Sequence, residues 1–455
     1  MIIPMTFCLF GATGDLTLSK LLPALWELYK KAPDQALHIV AVSRREIDTP
    51  AYIRLVLEYA HMPEVVKKDM IEYETFLRKT IRYKRVNIDR VKDYNALVHV
   101  LKSEYEHEMM QPLSFFLALS PDHYRIFIQT ADASELGAYI KETKASLMLE
   151  KPFGHDEASA AELEKEMCGV MSDSAVYRLD HYLAKPAVMR LASLAEKGTL
   201  KKLIHAVKPA QLHVRLFETQ TIRGRGAYYD EYGILGDVMQ NHVLQMVGVF
   251  LGHVAVQSEK VEGETHEAHQ AARARVFEHL ILNQREDSIK AGRYEGYRDE
   301  EGVEPESCTP TYARVVYDYA LKDGSAPIQV VVEAGKAMAQ SLVTIDVENA
   351  AGESLVTFEV QPNQKIMMTE EAKKHIPQDL QNELMNAMGP RKNDSDAYET
   401  IFRDAAARNP ARFVSFEEII AAWRCIDSVR EKIDRVCPGT YPVGWSPADK
   451  DVNFR

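Results

Sequence analysis

A short apolar run over residues 5–10 stops abruptly at Gly11-Ala12-Thr13-Gly14-Asp15-Leu16, and Leu18, Leu21, Leu22, Leu25, Trp26 and Tyr29 then recur at helical spacing. A buried strand, a glycine turn and a helix with one inward face make the repeating piece of a parallel β-α-β layer. Further apolar runs at 37–42, 113–119 and 146–150 read as strands, and residues 51–59 and 94–107 read as helices between them. Pro23 interrupts the first helical repeat and removes one backbone hydrogen bond, so that helix is expected to bend or begin late.

The texture changes after about residue 180. Helices are expected over 186–197, 233–251 and 266–285, then alternating segments at 313–321, 328–334, 342–348 and 354–360, joined by turn-rich links such as Lys322-Asp323-Gly324-Ser325. Short links of this kind favour an antiparallel sheet. A last helix is read over 416–436, ahead of a Pro- and Gly-containing tail from Pro438. A chain of 455 residues exceeds what one core usually serves. The expectation is a Rossmann-like, doubly wound parallel sheet over residues 1–178, followed by an α+β domain over 179–455 with a large, mainly antiparallel sheet for substrate binding and dimerisation.

Charge narrows the partners. Lys and Arg number 55 against 67 Asp and Glu, a net −12, the opposite of a general polyanion binder. Nucleic acid is not expected, although a local basic pocket for one small phosphate is compatible with the sum. No apolar run nears the ~18 residues of a membrane span, and Met1–Phe7 has no basic region of the signal-peptide kind. Cys8, Cys168, Cys308, Cys425 and Cys437 show no metal spacing, and their odd number argues against a disulfide framework. A cytoplasmic setting is expected.

Four stretches carry chemistry. Gly11–Leu16 lies between a strand and a helix, where backbone N–H groups can receive a pyrophosphate, or where a tight turn is simply needed. At the end of the second strand stands Ser43-Arg44-Arg45, where an NAD site more often offers an acid; Arg44 there suits the 2′-phosphate of NADP, or is one of a solvated pair. Lys151, in Glu150-Lys151-Pro152-Phe153-Gly154, ends a parallel strand on the ligand side of such sheets, or is simply a solvated charge at a strand end. In Arg178-Leu179-Asp180-His181-Tyr182-Leu183-Ala184-Lys185 the donors His181, Tyr182 and Lys185 suit a phosphate monoester, and a capped polar helix start is the plain alternative. His242, in Asp237-Val238-Met239-Gln240-Asn241-His242, shares a helical stripe with Val238 and Met246. It is either a satisfied core histidine or a general base.

In this order and at these separations the stretches resemble the glucose-6-phosphate dehydrogenase family. Its G-x-x-G-D-L turn with a following lysine is matched at Gly11–Leu16 and Lys20, and its E-K-P-F-G at Glu150–Gly154. Its R-I-D-H-Y-L-G-K is matched at Arg178–Lys185 with two changes, and its G-R-G-x-Y-x-D-E and D-V-M-Q-N-H-x-L-Q at Gly224–Glu231 and Asp237–Gln245. Gly335-Lys336-Ala337-Met338, Gln361-Pro362-Asn363, the stretch 396–423 and Gly444-Trp445-Ser446-Pro447 resemble later family segments, so the likeness spans nearly the whole chain.

The resemblance implies a role for each matched position. His242 falls at the general base and Asp180 at the carboxylate that orients it. His181, Tyr182 and Lys185 fall at the 6-phosphate site; Lys151 at a lysine shared by sugar and cofactor; Glu218, Asp237 and Lys336 at contacts to the sugar or phosphate. Gly11, Thr13, Gly14, Asp15, Leu16 and Arg44 fall at the cofactor turn and 2′-phosphate positions, with Ala118, Leu119 and Pro121 near the nicotinamide. The implied reaction oxidises the C1 hydroxyl of glucose 6-phosphate to the lactone with NADP, without a metal. NAD is also admissible, since Arg44 can pack over adenine as well as pair with phosphate. A homodimer through the second sheet, or a dimer of such dimers, is implied as well.

Gly236 stands where the family commonly has Arg, Ser341 where a second basic contact is common, and Ala184 where the phosphate signature has Gly. These changes keep open a dehydrogenase of another phosphorylated sugar, an amino- or deoxy-sugar phosphate. A non-catalytic sensor of sugar phosphate or NADP is the reading outside enzymology.

Overall fold

The first strand sets the frame of the N-terminal unit. In the computed structural model, which describes residues 5–34, 36–105, 112–254, 266–320, 327–391, 394–433, 437–449 and 452, β1 (Met5–Phe10), β2 (Leu37–Ser43), β3 (Ile81–Arg85), β4 (Leu113–Leu117), β5 (Ser146–Leu149) and β6 (Val176–Leu179) lie parallel in the order β3-β2-β1-β4-β5-β6. The order reverses at β1, which pairs with β2 on one side and β4 on the other, so a crevice opens beyond the carboxyl ends of β1 and β4. An antiparallel strand, Phe413–Val414, closes the β6 edge. The helix opens at Asp15, is π-wound over Thr17–Leu21 and continues as regular α-helix from Leu22 to Lys30, so Pro23 falls just after the change of winding.

Charged residues hide two of these strands in the sequence. Ile81–Arg85 alternates buried and exposed positions as an edge strand does. Arg178 in β6 is buried because Glu164 and Asp173 pair with its guanidinium. The helix read at 94–107 starts earlier, at Val91, and runs to Tyr105; residues 106–107 lie outside the described set, as do 321, the 322–325 link and 434–436.

The N-terminal unit comprises Met1–Gly154, Ala158–Ala184 and Ser395–Val414. Beside the boundary expected at 178, this unit runs on through the end of β6 to Ala184 and takes in the late segment as well. That segment supplies core. Phe402, on the helix Ala397–Ala406, meets Phe7 edge-on at 4.8 Å and lies 5.8 Å from Phe116, while Phe413 stacks on Tyr177 at 4.4 Å.

The second unit holds β7 (Gln211–Phe217), β8 (Leu280–Leu282), β9 (Ile289–Tyr294), β10 (Tyr312–Tyr319), β11 (Ile328–Gly335), β12 (Leu342–Glu348), β13 (Ser354–Gln361) and β14 (Lys365–Met368), with Gly439–Tyr441 beside β9. The sheet runs β14-β13-β12-β7-β11-β10-β9, with β8 on β10. It is mainly antiparallel, but β7 and β11 pair in parallel, as do Gly439–Tyr441 and β9. The helix expected over 266–285 stops at Glu278, and Leu280–Leu282 becomes a strand whose burial alternates. Apolar residues of one sheet face, Leu212, Val214, Val330, Val332, Ile345 and Phe358, are buried, and Phe250 packs edge-on against Phe358 at 5.5 Å. On the other face, β7, β11 and β12 carry charges in mutual contact: His213 lies between Glu333 (2.8 Å) and Glu348 (3.2 Å), and Arg215 reaches Asp346 (2.5 Å) and Glu348 (3.0 Å).

Cys308 and Cys437, 129 residues apart, form a disulfide, correcting the expectation drawn from the odd cysteine count. Tertiary structure brings their Cα atoms within 4.8 Å, a proximity that spacing along the chain does not encode.

Because Phe402 fills the core between β1 and β4, Phe402→Ala is expected to cost the N-terminal unit about 3–5 kcal/mol. Urea unfolding followed by near-UV circular dichroism measures it.

Candidate active site

Backbone crowding fixes the first turn. Gly11 has φ +80°, and a Cβ there would lie 2.1 Å from the Ala118 carbonyl oxygen. Only glycine lets β1 turn under the end of β4. The Gly11 carbonyl accepts bonds from Gly14 N–H (2.9 Å) and the Thr17 hydroxyl (3.1 Å), and the Tyr52 hydroxyl donates to the Ala12 carbonyl (2.9 Å). Tyr59 donates its hydroxyl to Asp15. The turn thus has the build of a pyrophosphate cradle: close backbone, no side chain at its first position, and a helix opening at Asp15.

The other expected cofactor residues follow strands on the same edge of this sheet. Arg44 is exposed just after β2; Ala118, Leu119 and Pro121 follow β4; Lys151 follows β5, its bond to Pro152 being cis. Beyond β6, Asp180 is buried and accepts Tyr182 N–H at 2.9 Å, and the His181 ring stacks 6.0 Å from Tyr398 of the returning helix. Parallel strands present their carboxyl ends together, so residues up to 170 positions apart share one rim.

Glu150 closes β5 from within. Its carboxyl is 9% exposed, Tyr398 hydrogen-bonds to it, and its Oε1 has no hydrogen-bond partner among the described residues. Its backbone carbonyl accepts the Tyr124 hydroxyl at 2.8 Å. Burial, to which the nearby Asp180 charge adds, pushes this carboxyl up to about 7 against the opposing pull of Tyr398 and Lys151.

In the second unit a wide helical turn organises the site. Gly233 breaks the preceding helix at φ +58°, and Ile234 N–H bonds to the Pro310 carbonyl (3.0 Å). Leu235–Val243 is then π-wound. The i→i+5 pattern brings Asp237 and His242 toward one side of the segment, whereas at α-helical spacing they diverge. Asn241 braces it, donating its side-chain amide to the Gly236 carbonyl (2.9 Å) and accepting His242 N–H (2.7 Å).

Asp237 is 2% exposed and surrounded by donors: Lys336 Nζ at 3.3 Å, Arg225 at 3.5 Å and the Tyr228 hydroxyl at 3.3 Å. Lys336 also reaches Glu218 at 2.5 Å. Its backbone is held from both ends, by N–H to the Thr311 carbonyl (2.9 Å) and by the Tyr441 hydroxyl on its own carbonyl (2.8 Å). Burial, with Asp237 beside it, holds the Tyr228 hydroxyl protonated well above the usual tyrosine range.

Glu218, Asp237 and Lys336 therefore meet in one cluster, with His242 one turn onward. Lys185 lies in the same unit, its Nζ 2.8 Å from Gln361 Oε1. Arg225 and Tyr228 were not singled out from sequence. The signal was present in Gly224–Glu231, which matched as a motif without individual roles. Ser341 donates no cation here; its hydroxyl accepts Thr219 N–H at 3.1 Å. At Gly236, a Cβ would lie 3.2 Å from Arg430 Nη2, so a guanidinium from another helix borders the place of the absent side chain.

A doubly wound sheet with a glycine turn, and a mainly antiparallel sheet carrying a buried acid–lysine cluster, define a nucleotide-dependent oxidoreductase scaffold. Residues 8–190 match the family model described as glucose-6-phosphate dehydrogenase, NAD binding domain, and residues 199–454 the one described as its C-terminal domain. The glucose-6-phosphate 1-dehydrogenase of Aspergillus niger is 27% identical over 461 residues, covering 95% of this chain and 88% of its own. That of Kluyveromyces lactis is 27% identical over 471 residues, covering 98% and 93%. A solved structure of glucose-6-phosphate dehydrogenase in complex with its substrate glucose-6-phosphate has a TM-score of 0.77 at 23% identity, over 99% of this chain and 97% of that one. The enzyme from Mycobacterium avium gives 0.74 at 19%, over 98% and 95%. The chain belongs to the glucose-6-phosphate dehydrogenase family and is an oxidoreductase of that type. Among the described residues no helix is long and apolar enough to cross a membrane.

The Glu150 carboxyl leaves a signature in stability. Between its ordinary value of 4.5 and about 7, the folded chain keeps a proton that the unfolded chain has released, so stability falls as pH rises through that window and levels off above it. Glu150→Gln is expected to remove this slope and to gain on the parent by a few kcal/mol, on the order of 3, at about pH 8 relative to about pH 5. Urea unfolding at the two pH values measures it.

Proposed function

We propose that the chain oxidises the C1 hydroxyl of glucose 6-phosphate to the lactone, with NADP as the hydride acceptor and His242 as general base. The observation that carries this reading is the π-wound segment, which sets a buried Asp237 bound by Lys336 one turn from His242 in a member of this family. Imidazole is the side chain whose proton exchange suits removal of a hydroxyl proton. Asp180 is assigned the orienting role that the family pattern gives it, stabilising the imidazolium.

Glu218, Asp237 and Lys336 are assigned to the sugar hydroxyls, with Arg225 and Tyr228 fixing the Asp237 carboxylate. His181, Tyr182 and Lys185 are assigned to the 6-phosphate, whose remote binding energy holds the reacting end in place. The Gly11–Leu16 turn would hold the cofactor pyrophosphate, Arg44 the 2′-phosphate through its donor fork, and Ala118, Leu119, Pro121 and Lys151 the nicotinamide side. When bound there, the nicotinamide supplies the acceptor for the hydride that leaves C1. NAD remains a second substrate for the same turn.

A second reading is favoured by Ser341 and Gly236. Ser341 offers a hydroxyl engaged with Thr219 in place of a cation, so a phosphorylated sugar differing near that position, an amino- or deoxy-sugar phosphate, is the alternative substrate. We also propose a homodimer formed through the polar face of the second sheet, where the His213, Arg215, Glu333 and Glu348 array lies.

Purified protein is expected to reduce NADP with glucose 6-phosphate, and His242→Asn to lower kcat about 10²–10⁴-fold. A parent without turnover on this sugar, or a variant at parental rate, refutes the assignment; faster turnover of an amino- or deoxy-sugar phosphate selects the second reading. Arg44→Ala is expected to raise KM for NADP about tenfold and leave that for NAD nearly constant. Equal changes in both remove the 2′-phosphate role. Sedimentation velocity is expected to give a dimer.

A further inference from the structure

The turn that follows β11 sets Lys336 beside a strained residue. Ala337 has φ +54°, a left-handed backbone that persists in a residue with a side chain only where the surroundings over-determine it. Hydrogen bonds hold it in place. Lys336 N–H donates to the Thr311 carbonyl (2.9 Å) and Ala337 N–H to the Gln220 carbonyl (3.0 Å). In return the Tyr441 hydroxyl donates to the Lys336 carbonyl (2.8 Å), and Gly444 N–H to the Ala337 carbonyl (2.8 Å).

Proton accounting gives the innermost of these contacts a direction. The Lys336 carbonyl can only accept, so the single proton of the Tyr441 hydroxyl goes to it. Thr311 Oγ1, 2.7 Å from the Tyr441 oxygen, is then the donor of that pair, and its own lone pair takes the Tyr294 N–H (2.9 Å). A relay from Tyr294 N–H through Thr311 and Tyr441 therefore ends on the Lys336 backbone, and all three of its members are buried. Each bond polarises the next where water does not compete. Cys308 lies three residues before Thr311 and Cys437 four before Tyr441, and both are exposed. Their disulfide ties together the two segments that grip Lys336.

We propose that Thr311 and Tyr441 are positioning residues for the reaction. Their relay fixes the Lys336 backbone so that its ammonium stands between Glu218 (2.5 Å) and Asp237 (3.3 Å), and the Cys308–Cys437 disulfide braces the relay from the surface. This inference rests on the functional reading above, in which Lys336 serves the sugar. Neither Thr311 nor Tyr441 needs to touch substrate for it to operate; both act through Lys336. An interaction that serves substrate and transition state alike shows in KM and not in kcat.

Kinetics and hydrogen exchange test it together. Tyr441→Phe keeps an aromatic ring beside Trp445 (5.3 Å) and removes the last donor of the relay. KM for glucose 6-phosphate is expected to rise about three- to tenfold, the worth of one hydrogen bond, with kcat and KM for NADP within about twofold of the parent. In a Lys336→Met background the same change is expected to add nothing. Thr311→Val repeats the test should Tyr441→Phe fold poorly. Amide exchange over residues 335–338, read by mass spectrometry, is expected to quicken in Tyr441→Phe, Thr311→Val and Cys308→Ser. Equal losses in kcat and in both KM values, a further rise in the Lys336→Met background, or exchange at the parental rate overturns the proposal. Faster exchange in the variants of a parent that turns over no sugar phosphate leaves the relay standing and overturns the functional reading instead.

Discussion

Widening a single stretch of helix determines what the second unit can present. Along Leu235–Val243 the i→i+5 winding turns Asp237 and His242 toward one side, and Asn241 sustains it by bonding back to the Gly236 carbonyl. Everything around the segment serves that placement. Gly233 absorbs the break in direction, Pro310 receives the Ile234 N–H, and Lys336, pinned by Thr311 and Tyr441, supplies a cation beside the buried Asp237. Removing Lys336 and Arg225 would take two cationic partners from a buried carboxylate, a cost of several kcal/mol.

The N-terminal unit achieves its site differently. Its expected ligand residues come from turns after β1, β2, β4, β5 and β6, and none needs a special helix. Parallel strands align those turns, and the requirement falls on one backbone contact, Gly11 beneath Ala118. A rim built this way tolerates change in most side chains. It does not tolerate a side chain at position 11.

Much of this was legible in the sequence, and the exceptions share a cause. Four of the parallel strands were readable because they are continuous apolar runs; β3 and β6 were not, since Arg82, Lys84 and Arg178 break the pattern, and only tertiary partners such as Glu164 explain a buried arginine. β7 was missed for the same reason, with His213 and Arg215 satisfied by acids from β11 and β12. His242 looked like a core histidine because 3.6-residue periodicity aligns it with Val238 and Met246; π winding is invisible to that test. Arg225 and Tyr228 gain their meaning only from Asp237, twelve and nine residues away. Pairings between distant segments, including Cys308 with Cys437, leave no local trace.

The return of Ser395–Val414 to the N-terminal unit has a consequence for biosynthesis. When residues 1–184 leave the ribosome, Phe7 and Phe116 still lack Phe402, and β6 still has a bare edge. Residues 185–394 must be translated first, a delay of roughly 10–40 s at ordinary elongation rates. Throughout that interval the nascent chain displays an apolar cleft and an open strand, the features that chaperones recognise and that invite aggregation. Completion of the nucleotide-type unit is thereby tied to translation as far as Val414.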